Sequence, residues 1–123
     1  MSTTYGPYTP VRQAGNTMFV SGQVGIHPET KVAPDDIACQ TERALLNLEA
    51  VLRKAGAELR DIVKTTVYLT DMDNFEAMNK VYEQRFEAPR PARSTVGVHE
   101  LPRLAGDTPI LVEIEAVAYK EHS

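Results

Sequence analysis

The stretch ILVEIEAVAY, residues 110–119, sorts its side chains into two unlike rows. A strand sends successive side chains to opposite faces, so Val112, Ile114, Ala116 and Ala118 make one small apolar row and Glu113, Glu115, Val117 and Tyr119 make the other. The first row suits packing under helices. The second sets two carboxylates beside apolar groups, a mixture better suited to burial between subunits than to open water, so oligomerisation is expected.

Working outward, DIVKTTVYLT, residues 61–70, is β-branched and alternates, with Ile62, Lys64, Thr66 and Tyr68 on one side and Val63, Thr65, Val67 and Leu69 on the other. NTMFVSGQ, 16–23, follows the turn-like Ala14-Gly15-Asn16 and reads as a further strand, and RSTVGV, 93–98, as another. Between the strands lie two helical patterns. Ile37, Ala44, Leu45, Leu48, Leu52 and Ala55 recur at three- to four-residue steps, with Asp35 or Asp36 as cap and Gly56 as stop. In DMDNFEAMNKVYEQRF, 71–86, Asp73 and Glu76 have capping-box spacing, and Phe75, Met78, Tyr82 and Phe86 share one stripe. Ala88-Pro89-Arg90-Pro91 ends that helix, because proline cannot continue it. The order of strand or strands, helix, strand, helix, strand, strand is α+β, with two helices covering one face of a single sheet.

The 123 residues fit one domain, taken as 1–123, and 42% hydrophobic with 24% charged residues suits an ordinary globular core. Thirteen basic side chains against seventeen acidic give a net charge of -4 without any basic run. That argues against a nucleic-acid surface. The start, MSTTYGPYTP, has neither a basic n-region nor an apolar h-region, and no apolar stretch approaches the roughly 18 residues of a membrane span. A cytoplasmic protein without a membrane partner is expected. The single cysteine, Cys39, fits a reducing compartment and falls off the apolar stripe of its helix, where nothing activates it.

Arg93 opens one C-terminal strand, and Glu113 and Glu115 lie on the other. If those strands meet in one sheet, a guanidinium and a carboxylate can share a cleft edge, where the first can bind a substrate carboxylate bidentately and the second can hold or activate water. From spacing alone, an ordinary Arg–Glu ion pair at a subunit boundary is the somewhat better account. Ser21, next to Gly22, is a hydrogen-bonding hydroxyl or a strand terminator, since G-x-S-x-G is missing. His27, His99 and His122 lack the spacing of a zinc site, and no glycine-rich phosphate loop occurs.

GPY at 6–8, SGQVG at 21–25, AGAELRDIVKTTVYLTDMDNF at 55–75, NKVYEQRF at 79–86, RPARSTV at 90–96 and VEIEAVA at 112–118 together resemble the RidA (YjgF) family. The resemblance spans almost the whole chain. It implies a chorismate-mutase-like α+β fold, a homotrimer whose sheets form a central barrel, and ligand clefts between subunits. Members that keep the arginine of the PARS motif are 2-iminobutanoate/2-iminopropanoate deaminases, which hydrolyse enamines and imines released by pyridoxal-phosphate enzymes to 2-oxo acids and ammonia. On that pattern Arg93 clamps the substrate carboxylate, Glu113 holds the hydrolytic water, and Tyr8, Ser21 and Thr95 line the ligand. The resemblance implies no metal and no organic cofactor.

Two departures stand out. Thr95 occupies the place of the cysteine found two residues after the arginine in the best-known deaminases, so a backbone contact survives there and a thiol contact does not. The loop HELPRLAGDTP, 99–109, is longer than the family's usual turn and is expected to reshape the cleft's rim or a trimer contact. Two other functions compete with deamination. A trimer with the same arginine could hold small carboxylates without turnover, and RNA cleavage is attributed to some relatives, although the acidic balance counts against it.

Overall fold

A computed structural model describes residues 4–121. In chain order the elements are β1 (Val11–Ala14), β2 (Thr17–Val24), α1 (Ile37–Lys54), β3 (Ile62–Leu69), α2 (Phe75–Arg85), β4 (Ala92–Gly97) and β5 (Val112–Tyr119). The sheet order is β1-β2-β5-β3-β4, antiparallel throughout except for the parallel pair β3 and β4.

This order explains why the helices share a face. β2 and β3 both run antiparallel to β5 and hence parallel to each other, so α1 is a crossover, as α2 is between β3 and β4. Both crossovers advance in the same direction across the sheet, and a common handedness then puts both helices on one side. The last strand, β5, fills the gap between β2 and β3. Its row Val112, Ile114, Ala116 and Ala118 is buried, against Leu45, Leu48 and Leu52 of α1 and Met78 and Tyr82 of α2. Each fully buried large aliphatic side chain there contributes about 1.5–3 kcal/mol. The α+β class and the helix-covered face match the sequence expectation.

α1 begins where Asp36 accepts a hydrogen bond from the Cys39 amide at 2.7 Å, and it stops at Gly56, whose φ of 87° is a left-handed conformation that a side chain would strain. α2 differs from the expected capping box between Asp73 and Glu76. Asp71 instead accepts from the Asp73 amide at 2.9 Å and sets a single 3₁₀ turn, Met72–Asn74, and Asn74 then caps α2 without a side-chain bond. The local Asp71 turn satisfies a free amide earlier in the chain, so the α-helix proper starts later.

β3 departs from simple alternation at its start. Ile62 is buried, on the side of Thr65, Val67 and Leu69, whereas Val63 is 52% exposed. The register against β5 shifts between Ile62 and Lys64, and a bulge of this kind exchanges the faces on which flanking residues point.

Candidate functional site

β1 spans four residues and β2 eight, so β2 continues past the end of its partner. Val11 pairs with Val20, and beyond it β2 kinks where its register against β5 shifts between Val20 and Gln23. The N-terminal segment lies across this kink. The Ser21 amide donates to the Pro10 carbonyl at 2.9 Å, and the Ser21 hydroxyl donates to the Thr9 carbonyl at 2.6 Å. Ser21 therefore spends its proton on the fold and keeps lone pairs for a ligand donor. Nearby, the Tyr5 amide donates to the Tyr8 hydroxyl at 3.3 Å, and the Tyr8 side chain stays 45% exposed.

A cleft of about 640 Å³ opens here, lined among others by Tyr8, Ser21, Gly22, Glu113 and Glu115. The Glu113 carboxylate lies over Gly22 so closely that a Cβ at position 22 would stand 2.3 Å from Glu113 Oε2. Only glycine leaves room for that carboxylate. Burial, and after it the charge of Glu115 two residues on, raise the pKa of Glu113 above the ordinary carboxylate value. A carboxylate whose pKa is raised in this way is a stronger proton acceptor towards a bound water than one held in its ionised form by a cation.

Arg93 lies elsewhere. β4 pairs with β3 and not with β5, and Arg93 stands beside Thr65 on the helix-covered face. Its guanidinium carbon sits 4.8 Å from the centre of the Tyr82 ring and 5.7 Å from that of Phe75, and Nη1 approaches Met78 Sδ at 4.0 Å. The Tyr82 hydroxyl is held at 2.7 Å by Thr65 Oγ1, which fixes the ring under the cation. Among the described residues no ion pair involves Arg93, so its charge is supported by aromatic faces and left open to an anion. Thr95, next along the same face of β4, has a buried Oγ1 without a hydrogen-bond partner, and Asn79 Oδ1 on α2 is in the same condition. Buried oxygens of this kind call for a donor.

The structure therefore brings Tyr8, Ser21 and Glu113 together and keeps Arg93 and Thr95 apart from them. The Arg93 and Glu113 strands do meet in one sheet, but β3 lies between β4 and β5 and the two side chains leave the sheet on opposite faces, so within one chain they do not share a cleft edge. An arginine and a glutamate of one copy cannot meet across that sheet. Sequence reasoning did not single out Arg43 and Asn47, which line the cleft from α1, or Asn79. The signal for Asn79 was its place at the head of the NKVYEQRF block, and for Arg43 and Asn47 their polar i, i+4 spacing on α1. His122 lies outside the described residues. Among the described residues no helix is long and apolar enough to cross a membrane.

Comparison with known proteins agrees with this architecture. A family profile described as Endoribonuclease L-PSP matches residues 2–120. A RutC family protein of Pyrococcus abyssi is 46% identical over 117 residues, covering 94% of this chain and 88% of the relative. The 2-iminobutanoate/2-iminopropanoate deaminase of Escherichia coli is 39% identical over 118 residues, with the same two coverages of 94% and 88%. The crystal structure of Escherichia coli TdcF with bound serine superposes with a TM-score of 0.87 at 36% identity, covering 96% of this chain and 91% of that one.

Proposed function

Because the chain belongs to the Endoribonuclease L-PSP family, which holds the RidA and YjgF proteins, we propose that it hydrolyses small 2-imino acids such as 2-iminobutanoate and 2-iminopropanoate to 2-oxo acids and ammonia. The observation that carries this reading is the pair of complementary half-sites. One holds a partly desolvated carboxyl, Glu113, in an open cleft, and the other offers a guanidinium, Arg93, with no carboxylate of its own chain. They lie on opposite faces of one sheet, so a complete site forms where β4 of one copy meets the Glu113 cleft of the next. We place three copies around a central barrel, with the open face of each sheet turned inward. That face carries Glu115, Val117 and the exposed Phe19.

In this arrangement Arg93 holds the substrate carboxylate through two parallel hydrogen bonds, which fixes the imine carbon against a water on Glu113. An enamine substrate first tautomerises to the imine. On the protonated imine, Glu113 takes a proton from the water as the water oxygen bonds to C2 and the C=N electron pair moves to nitrogen, which gives a neutral carbinolamine. Glu113 then returns its proton to the amine, the C–N bond breaks as the hydroxyl oxygen closes the C=O bond and loses its proton to solvent, and ammonia leaves behind the 2-oxo acid. Tyr8, Ser21 and Thr95 line the ligand, with the Ser21 lone pairs facing donors on it.

Coupling to threonine dehydratase, with 2-oxobutanoate formation followed under conditions where free imine persists, tests the activity. Arg93→Ala and Glu113→Gln should each abolish the acceleration, and Arg93→Lys should be poor because lysine lacks the fork. Mixing the two dead variants under exchange conditions should restore about one quarter of wild-type activity, the share of interfaces that pair two intact halves in random assortment. Full activity in Arg93→Ala would remove the clamp. A failure of the mixture, with subunit exchange verified, would remove the shared site.

A further inference from the structure

The cleft is much larger than a four-carbon imino acid needs, and beside Glu113 it is lined by groups of a different chemistry. Asn47 donates to the carbonyls of Val24 at 2.9 Å and Ile26 at 2.8 Å, and its Oδ1 accepts Arg43 Nε at 3.2 Å. Arg43 is thereby tethered by one nitrogen to the stretch that continues β2 beyond Gly22. Its two terminal nitrogens take part in no ion pair among the described residues. Val24 and Ile26 belong to a second small core with Ala33 and Ile110, against which Leu104 of the 99–109 loop packs. Val24, Ile26, Leu104 and Arg43 all line the same cleft as Glu113.

The long loop is a fixed wall. Gln40, fully buried on α1, donates to the carbonyls of Pro34 at 2.9 Å and Pro109 at 2.8 Å and accepts from the Leu111 amide at 2.8 Å. An isolated bridge between Ala105 and Thr108 closes the loop's tip. These bonds fix the loop's C-terminal side, and Leu104 packs against the second core. The cleft thus combines an apolar wall with cations of α1, Arg43 and Lys54, of which Arg43 is the one fixed through Asn47, a pattern that recognises a short chain ending in an anion.

We infer that Val24, Ile26, Leu104 and Arg43 form a subsite for a second carboxylate, so that the cleft takes short 2-oxo and 2-imino dicarboxylic acids. The inference rests on the proposed function for the orientation of the ligand, with its reacting carbon at Glu113 and its side chain directed along the loop wall. It extends that reading to the substrate class, since a monocarboxylic imino acid leaves Arg43 without a partner.

Calorimetric titration with 2-oxoglutarate and 2-oxobutanoate tests it without turnover. The wild type should bind 2-oxoglutarate the more tightly, and Arg43→Met, which keeps the apolar stem, should weaken 2-oxoglutarate about tenfold more than 2-oxobutanoate, the size of a hydrogen bond to a charged group. Leu104→Ala should weaken 2-oxoglutarate by a smaller factor. Equal weakening of both acids by Arg43→Met, or wild-type binding of 2-oxobutanoate alone, would overturn the subsite. The coupled hydrolysis assay reports separately on the deaminase reading: Arg43-dependent binding of 2-oxoglutarate without any imine hydrolysis would retire that reading and keep the subsite.

Discussion

Gly22 and Glu113 depend on one volume. The carboxylate occupies the space a Cβ would take, so Gly22→Ala must push it aside or bend β2. Displacing a catalytic group by about 1 Å costs on the order of 10²-fold in rate. Gly22→Ala should therefore lose about that factor in kcat/KM while far-ultraviolet circular dichroism stays that of the wild type; an unaltered rate would mean that Glu113 is not positioned by this contact. Glu115 acts on the same proton from two residues away. Burial and the Glu115 charge both raise the pKa of Glu113, so neutralising Glu115 removes the second cause and lowers that pKa. With Glu113 as base, its ionised form then persists to lower pH, and the acid limb of kcat/KM in Glu115→Gln should move down. A limb that stays in place would belong to another group. At this scale the chemical types were legible: SGQ and EIEA announce Ser21, Gly22 and Glu113, and PARS announces Arg93. The reason position 22 must be glycine was not, because it is a contact with a residue ninety positions away in the chain.

At the scale of elements, parity decides the site. β4 pairs with β3 in a register that puts Arg93 beside Thr65, and a one-residue slip would turn the guanidinium away from Tyr82 and towards the open face. The bulge at the start of β3 shows how such parity escapes simple alternation, for it buries Ile62 and exposes Val63. A bulge depends on what the partner strand does, and the partner is β5, fifty residues on. α1 supplies the other control. Gln40 interrupts its apolar face with a buried amide that holds the segment before the helix and the segment before β5. Replacing it by leucine strands a buried amide proton and two carbonyls, at a cost of about 2–4 kcal/mol. Urea denaturation of Gln40→Leu should show that loss. A midpoint equal to the wild type's would mean that water satisfies these groups as well as Gln40 does.

For the whole molecule, one copy carries the two proposed half-sites and an open sheet face. Phe19, opposite Val117 on that face, is 51% exposed, and Val63 and Tyr119 are exposed with it. Such a surface is what a face between copies requires. Sedimentation should give three times the 13.6 kDa chain mass for the wild type, and Phe19→Asp should shift it towards a single chain and abolish hydrolysis in parallel. A monomeric wild type would contradict the shared site. The sequence by itself determined the α+β class, the helix-covered row of β5 and the chemical types available to the proposed site, because periodicity and residue chemistry are local properties. Only the tertiary structure decided that β3 separates Arg93 from Glu113, that the two emerge on opposite faces, and that Arg43 and Leu104 line the same cleft as Glu113. Strand order and facing are properties of pairings between distant segments, and a strand's own residues carry no record of which neighbour it will have.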